Sequence, residues 1–574
     1  MSHLGPRMIR PAEFSFRTRK AYLEQLAREE FDILVIGGGI TGAGIARDAA
    51  LRGFKVALVE RRDFAIGTSS RSSKLIHGGL RYLQQGDVSL VMEAANERRV
   101  LRQLAPHLAR PIKMIVPVHG RAGYATIRAG LWTFDRMARV DKDERKEMLD
   151  GPETLKLEPL LKPQGIYGSG VYYECLTDDA RLVVANLKSA AALGAVTVNY
   201  ANVNAFLSDA GRLTAAVVKD SLSGAAFPVR AKLFINAAGP WVDAVRLLQG
   251  EGEAPRLHLA KGIHVIVRHD RLPLSNTVVM TTSDKRSIFA VPRGDVVYIG
   301  TTDTEYKGSY EDPPVEEEEA RYLLDTVNRY CAIDPLTFTD VVGAWAGLRP
   351  LLHEEGKKTT EISRKDEIMV SPMGLISIAG GKLTTYRKMA ERIVGMAALQ
   401  LAERGVSTPA PTKGRSDSAL LVGGDTGEDL DQYIAGLASR WQKVDRQVIQ
   451  RLVSLYGSDA ERLVEDIAAD PVLGERCSPE LPVTRAEIEF AVREEMTLNL
   501  EDLLERRLRL FLWDSSNGLT VAPAAAQQLG AMLGWDKQRC EQELTRYRRH
   551  VDEVKAFTGA GAVESTPKKV ARAG

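Results

Sequence analysis

Cysteine is scarce and scattered. The chain has four, Cys175, Cys331, Cys477 and Cys540, and none stands in the C-x-x-C spacing of zinc or redox sites. A disulfide framework is therefore not expected, and free thiols suit a reducing compartment, with the cytoplasm as the default. Charge of one sign is lacking too. The 77 Lys+Arg are balanced by 75 Asp+Glu, a formal net charge of +2, which excludes the basic excess of a dedicated nucleic-acid binder. Long hydrophobic runs are missing: nothing reaches the roughly 18–20 uninterrupted apolar residues of a spanning helix. The opening MSHLGPRMIRPAEFSFRTRK has basic residues but no apolar core or cleavage site of a secretory signal. Membrane contact is expected to be peripheral at most. No fixed-period repeat is present, and no constellation of metal-ligating residues stands out, so no metal is expected.

What is present begins with length: 574 residues imply two or three domains with room for a large cofactor. Residues 1–30 form a polar lead-in. From Phe31 the pattern turns βαβ: FDILVIGGG is an apolar run entering glycines, ITGAGIARDAALRG is helical, and FKVALVE is a second apolar run. Strands buried on both faces of a parallel sheet have this composition. A second α/β stretch follows (DDARLVVANLKSAAALG, AVTVNY, KLFINAAGPW). SIFAVPRGDVVYIGTTD predicts two antiparallel strands joined through Pro292, Arg293, Gly294 and Asp295. VSTPAPTKGRSDS (406–418) has linker composition, residues beyond about 420 carry helical spacing, and the tail after 558 is expected to be disordered.

Gly37-Gly38-Gly39-Ile40-Thr41-Gly42 matches G-x-G-x-x-G between a strand and a helix, and Glu60 closes the next strand 18 residues after Gly42. Gly37, Gly39 and Gly42 would let the backbone approach a pyrophosphate at the helix N-terminus, and Glu60 would hold ribose hydroxyls. The fingerprint alone does not separate FAD from NAD. The next segment, RRDFAIGTSSRSSKLIHGGLRYL, favours FAD. Ser69, Ser70, Ser72 and Ser73 offer small donors for the second half of a pyrophosphate, and His77-Gly78-Gly79 gives a backbone that can press against a flat ring. Far along the chain, GLISIAGGKLTTYRKMAERIVG (374–395) is again strand, glycine pair and helix. Its amide-rich turn, from Gly381 through Leu383 and Thr384 to Thr385, would face the anion that a reduced flavin develops.

The stretches FDILVIGGGITGAGIARDAALRG, TSSRSSKLIHGGLRYL, FINAAGPW, KGIHVIV, YIGTTDTEYKG, WAGLRPL, ISR and GGKLTTYRKMAE together resemble the FAD-dependent glycerol-3-phosphate dehydrogenases, the aerobic respiratory type. The resemblance implies a mixed α/β and α+β protein. Its parts would be a Rossmann-like FAD-binding domain of the glutathione-reductase and D-amino-acid-oxidase type, an antiparallel-sheet substrate cap, and a C-terminal helical domain. The matching layout is a discontinuous FAD domain (31–110, 171–255, 365–405), a cap (111–170, 256–364), a linker (406–419), a helical domain (420–557) and a tail (558–574). No D-x-[DN]-x-[DN]-G calcium loop is present, so the bacterial type is the better match. One departure is Lys261-Gly262-Ile263-His264, where the resemblance leads one to expect a serine at 263; any hydrogen bond from that hydroxyl is in doubt.

The resemblance also implies glycerol 3-phosphate as substrate and quinone as acceptor. It puts Arg81, Arg349 and Arg364 around the substrate, with Tyr82, His264 and Lys382 nearby. Arg81 and Arg364 would grip the phosphate, since guanidinium forks match its oxygens. His264 would be the general base and Arg349 would stabilise the alkoxide. From the residues alone each has a plainer explanation, such as a surface arginine or a core histidine. An oxygen-using glycerol-3-phosphate oxidase, an amino-acid or sarcosine-type oxidase and a flavin-bound scaffold all remain open. So does a homodimer. The inner face of the cell membrane is the expected location, through peripheral lipid contact. LEDLLERRLRLFLW (500–513) is a candidate stripe for that contact, with a domain-packing helix as the favoured alternative.

Overall fold

A computed structural model describes residues 14–78, 88–138, 145–250, 256–352, 366–406 and 414–559, with backbone alone for 134–138. Arg81, Tyr82, Gly79, Arg364, residues 407–413 of the linker and residues 560–574 of the tail lie outside the described residues.

The glycine-flanked apolar runs pair as a parallel sheet. Its strand order is Glu367–Val370, Leu375–Ala379, Ala226–Asn236, Glu30–Ile36, Val56–Val59, Val196–Val198, all parallel except the edge pair Glu367–Val370 and Leu375–Ala379. The antiparallel hairpin of Ala201–Asp209 and Arg212–Asp220 extends from Ala226–Asn236. Ile33, Val35, Val56, Leu58 and Ile235 are wholly buried beneath three helices, each burial stabilising by about 1.5–3 kcal/mol. The helix Ile40–Leu51 packs against Asp179–Ala192 and Tyr386–Glu403. Gly44 makes the second approach feasible, because a Cβ there would come within 2.8 Å of the Tyr386 ring.

The second sheet is mostly antiparallel: Thr304–Glu305, Leu257–Arg268, Val296–Gly300, Ser287–Arg293, Thr277–Thr281, Arg110–His119, Ile166–Leu176, Leu75–Ile76. Val341–Leu352 pairs along Leu257–Arg268, and Glu147–Asp150 along Ile166–Leu176. The expected boundaries at 110/111 and 170/171 both cut through strands of this sheet, because a strand bonded on both edges belongs to one sheet throughout. The predicted hairpin turn is tighter than expected. Pro292 and Arg293 are in the strand, Arg293 pairs with Val296, and Gly294 at φ 60° with Asp295 makes the turn.

The C-terminal residues form the helices Leu430–Arg440, Arg446–Tyr456, Ala460–Ala469, Arg485–Glu494, Ala522–Leu533 and Lys537–Val554, plus a small hairpin, Arg476–Ser478 with Leu481–Thr484. The stripe 500–513 is not a surface feature. Leu503, Leu504, Leu508 and Leu510 to Leu512 lie in an apolar cluster with Ile266, Tyr298 and Trp345 of the second sheet. Arg506, Arg507 and Arg509 are buried on carboxylates of the first unit, so the candidate lipid stripe is a packing segment. No helix among the described residues is long and apolar enough to cross a membrane.

Candidate active site

Two clefts meet between the sheets. The first runs along the C-terminal ends of the parallel strands, with about 1290 Å³ of atom-free space including its open mouth. Gly37, Gly39, Glu60, Ser69, Trp241, Lys382 and Leu383 are among its walls. The second, about 1820 Å³ on the same measure, is walled by Ser73, His77, Glu174, His264, Arg286 and Arg349, among others. Thr68, Ser72, Pro350, Gly381, Lys382 and Leu383 border both, so the two are one elongated space.

The fingerprint glycines are sterically required. Gly37 sits at φ 112°, and a Cβ there would meet the Ala237 carbonyl oxygen at 2.6 Å; a Cβ on Gly42 would fall 1.9 Å from the Gly37 oxygen. Gly39 is the N-cap of Ile40–Leu51 and has no side chain to offer that helix end. Ser69 Oγ instead accepts from the Ile40 N–H at 2.9 Å. The Glu60 carboxylate accepts from the N–H groups of Gly38 (2.7 Å) and Arg62 (2.9 Å). Burial raises its pKa against the pull of those two bonds. Glycines without room for Cβ, a helix N-terminus and a terminal carboxylate fit the pyrophosphate and ribose of a dinucleotide.

Toward the second cleft, Thr384 Oγ1 accepts from His77 N–H (3.1 Å) and bonds the His77 carbonyl oxygen (3.3 Å), joining two segments some 300 residues apart. Gly381 lies at φ 85°, and Leu383–Thr385 forms a 3₁₀ turn leading into Tyr386–Glu403. The Gly78 N–H donates to Glu174, which also pairs with Arg98 at 3.0 Å. Ser70 is buried, its Oγ has no partner, and it lines neither cleft. These residues therefore fit an FAD extended through both clefts, with Ser70 outside them.

His264 and Arg349 lie on adjacent strands, the first opposite Trp345 and the second opposite Ala260. His264 is 2% exposed and stacks on Trp345, centroids 4.5 Å apart and 7° from parallel. Its Nε2 meets Ser73 Oγ at 2.9 Å, and Nδ1 is buried with no partner among the described residues. Burial, then the positive Lys74 and Arg349, hold its pKa well below 6.5, so the ring is neutral. Arg349 donates to Thr301 Oγ1 (3.0 Å), the Thr302 carbonyl (3.1 Å) and Asp303 (3.3 Å). Both side chains lie flat on glycines: a Cβ on Gly262 would meet Arg349 at 2.3 Å, and one on Gly300 would meet His264 at 2.1 Å. Ile263 points the other way, into the apolar cluster beneath. The Ile263 N–H donates to Thr302 Oγ1 at 3.0 Å, a backbone bond that does not depend on the side chain at 263.

Sequence reasoning missed Arg286, Glu174, Trp345 and Asp303. Arg286 lines the second cleft, pairs with Asp284 at 2.9 Å and donates to the Asp303 carbonyl at 3.0 Å. The G-T-T-D turn at 300–303 was visible as part of a matching stretch, but nothing local announces that it holds Arg349. Glu174 carries no local signal at all.

Comparison with known proteins agrees with this geometry. The family model described as FAD dependent oxidoreductase matches residues 32–387, and the C-terminal domain of alpha-glycerophosphate oxidase matches 415–540. The aerobic glycerol-3-phosphate dehydrogenase of Bacillus subtilis (strain 168) is 40% identical over 538 residues, 92% of this chain and 95% of that protein. Its counterpart in Staphylococcus aureus (strain USA300) is 38% identical over 554 residues, 95% and 99% of the two chains. A solved glycerol-3-phosphate dehydrogenase from Bacillus halodurans, complexed with FAD, superposes with a TM-score of 0.79 at 33% identity, covering 96% of this chain and 100% of that one. The chain belongs to the aerobic glycerol-3-phosphate dehydrogenases, a family of FAD-dependent oxidoreductases.

Proposed function

We propose that the protein oxidises sn-glycerol 3-phosphate to dihydroxyacetone phosphate at the junction of the two clefts and passes the electrons to membrane quinone. The observation that carries this reading is the shared wall at Gly381–Leu383, through which a dinucleotide cleft opens onto a cavity bordered by Arg286, Arg349, Lys382 and His264. The chemistry a bound FAD supplies is two-electron oxidation, the uptake of a hydride from a carbinol carbon.

The chain's own residues bind and handle the proton. Arg349 directs cationic N–H groups at the carbinol oxygen and favours its alkoxide; as a guanidinium it stays protonated and is no base. Neutral His264, with Ser73 Oγ on its Nε2, takes the C2 hydroxyl proton. Lys382 adds positive charge at the junction. Arg81 and Arg364, outside the described residues, grip the phosphate with Tyr82 nearby, and Arg286 is a further cation at the second cleft.

Peripheral contact with lipid is supported by the helix Arg121–Ala138, where Trp132 is 53% exposed and Ile127 borders the second cleft. The test of the substrate is anaerobic titration of the purified holoprotein. Glycerol 3-phosphate should bleach the flavin where glycerol, glycine and sarcosine do not. Bleaching by an amino acid instead would replace the reading with the amino-acid oxidase one. Turnover with oxygen and none with a long-chain quinone would replace the acceptor.

A further inference from the structure

We propose that Arg509 and Asp179 are positioning residues for the reaction centre: through a buried relay, the C-terminal helical unit holds the turn Ser72 to Lys74, and with it Ser73 against His264. The inference rests on the proposed role of His264 at the carbinol, whose Nε2 Ser73 Oγ meets.

The relay is continuous. Arg509 Nε lies 2.7 Å from Asp178, its other nitrogens reach Asp179 at 3.1 Å and the Glu505 carbonyl at 2.7 Å, and the side chains of Arg509 and Asp179 are wholly buried. Asp179 accepts from the Ser72 N–H (3.1 Å), the Ser72 hydroxyl (2.7 Å) and Lys74 Nζ (2.9 Å). Lys74 also donates to the Ser70 carbonyl at 2.6 Å. The Ser72 carbonyl takes the Trp345 indole N–H at 3.2 Å, and the Ser73 carbonyl takes the Tyr298 hydroxyl at 3.0 Å. Every polar group of the turn named here is fixed, and what the turn presents to the cavity is Ser73 Oγ on His264. Lys74 and Arg509 stand at φ 54° and 61°, conformations that L-residues keep only where their surroundings hold them.

Adhesion between the units does not need this relay. Leu503, Leu504, Leu508 and Phe511 already pack with Ile266, Val296 and Trp345 of the second sheet. An apolar contact would join the surfaces without desolvating charges. Four buried charged residues, Lys74, Asp178, Asp179 and Arg509, converge instead beside one turn with the part-buried Arg293, and the turn is part of the site.

The test combines Arg509→Lys, which keeps the charge but cannot span both aspartates, with Ser73→Ala. Displacing a catalytic group by a fraction of an ångström slows chemistry steeply. Arg509→Lys should therefore lower anaerobic flavin reduction at saturating glycerol 3-phosphate by about tenfold or more, with KM within about threefold. In the Ser73→Ala background the same change should cost less than about twofold, because the two act in series. Losses that multiply in the double variant, or full rates in the holoprotein, overturn the proposal. Should Arg509→Lys fail to fold, Lys74→Met, which leaves the Asp179–Arg509 pair intact, carries the same cycle. A substrate-independent arm uses the apoprotein. Trp345 and Trp513 stand edge to face at 6.4 Å with Lys74 over both, so near-ultraviolet circular dichroism should change in Arg509→Lys while the far-ultraviolet spectrum does not. Wild-type flavin that glycerol 3-phosphate fails to bleach defeats the substrate reading but leaves this arm to decide the relay; an unchanged near-ultraviolet spectrum decides against it.

Discussion

Replacing His264 with asparagine separates proton transfer from binding. Asparagine puts its amide where Nδ1 lies and falls short of Nε2, so the bond to Ser73 Oγ, now 2.9 Å from Nε2, is lost, and it cannot take a proton. Loss of a general base costs about 10²–10⁴ in rate, or about 2.7–5.4 kcal/mol of barrier. Losing the stack on Trp345 costs about 0.5–1.5 kcal/mol of stability, too little to unfold the chain. Burial first, then Lys74 and Arg349, weakens His264 as a base; Arg349, which borders the cavity, also lowers the cost of the alkoxide, which offsets part of the weakness of the base. Stopped-flow bleaching under nitrogen should show a rate reduced by that factor, with the half-saturating substrate concentration shifted little. The depressed histidine pKa further predicts no acid limb near pH 6.5 in the wild type. Bleaching at the wild-type rate in the asparagine variant would refute the assignment and leave Lys382 or water as base. An acid limb near pH 6.5 would refute the electrostatics.

Gly42→Ala should weaken FAD binding by at least about tenfold, because its Cβ would lie 1.9 Å from the Gly37 oxygen and open the turn that faces the pyrophosphate; equilibrium dialysis of the apoprotein measures this, and wild-type affinity would contradict the cradle. Asp63→Asn removes the carboxylate that Arg506 and Arg507 share at 2.6 and 2.8 Å, leaving buried charge uncompensated at about 3–5 kcal/mol; urea unfolding reads it, and a loss under about 1 kcal/mol would mean the network relaxes. Burial holds His264 well below 6.5 and His107 down to about 3. Both are neutral in the fold and protonate on unfolding, so their contribution to stability is full above pH 6.5 and falls by about 1.4 kcal/mol per histidine per pH unit below it. His550, where burial lowers the pKa but the Glu505 carboxylate 3.7 Å away raises it further, has the opposite sign: its contribution is full below pH 6.5 and lost as pH rises through its folded value. Unfolding free energies of His107→Gln across pH 4–6 should accordingly show a slope shallower by one proton.

The parallel sheet and its glycine turn were legible because their information is local. An apolar run, glycines that exclude Cβ, a helix and an acid stand within about thirty residues, and the βαβ unit is built from those neighbours alone. The second sheet was legible only as strands. Nothing in Leu257–Arg268 names Val341–Leu352 as its partner; that register lays Arg349 over Gly262, as the pairing with Val296–Gly300 lays His264 over Gly300. Likewise, alternation in Arg110–His119 and Ile166–Leu176 gives no sheet membership, which is why boundaries drawn from composition cut through both.

Charge was the least legible property, for a physical reason. A sequence shows where an arginine is, but its burial depends on a carboxylate that can lie anywhere in the chain. Arg506, Arg507 and Arg509, in an apolar segment, suit a lipid headgroup as well as a protein interior by spacing, and only the habit of charged residues to cover a packed helix's outer face favours packing. What decides is Asp63, Asp178 and Asp179, more than 300 residues earlier, each beside a segment of the cofactor cleft rather than in a recognisable motif. A charged run whose partners are distant reads as surface until the fold closes; here closing it puts the cations of the C-terminal helices directly behind the serine turn of the active site.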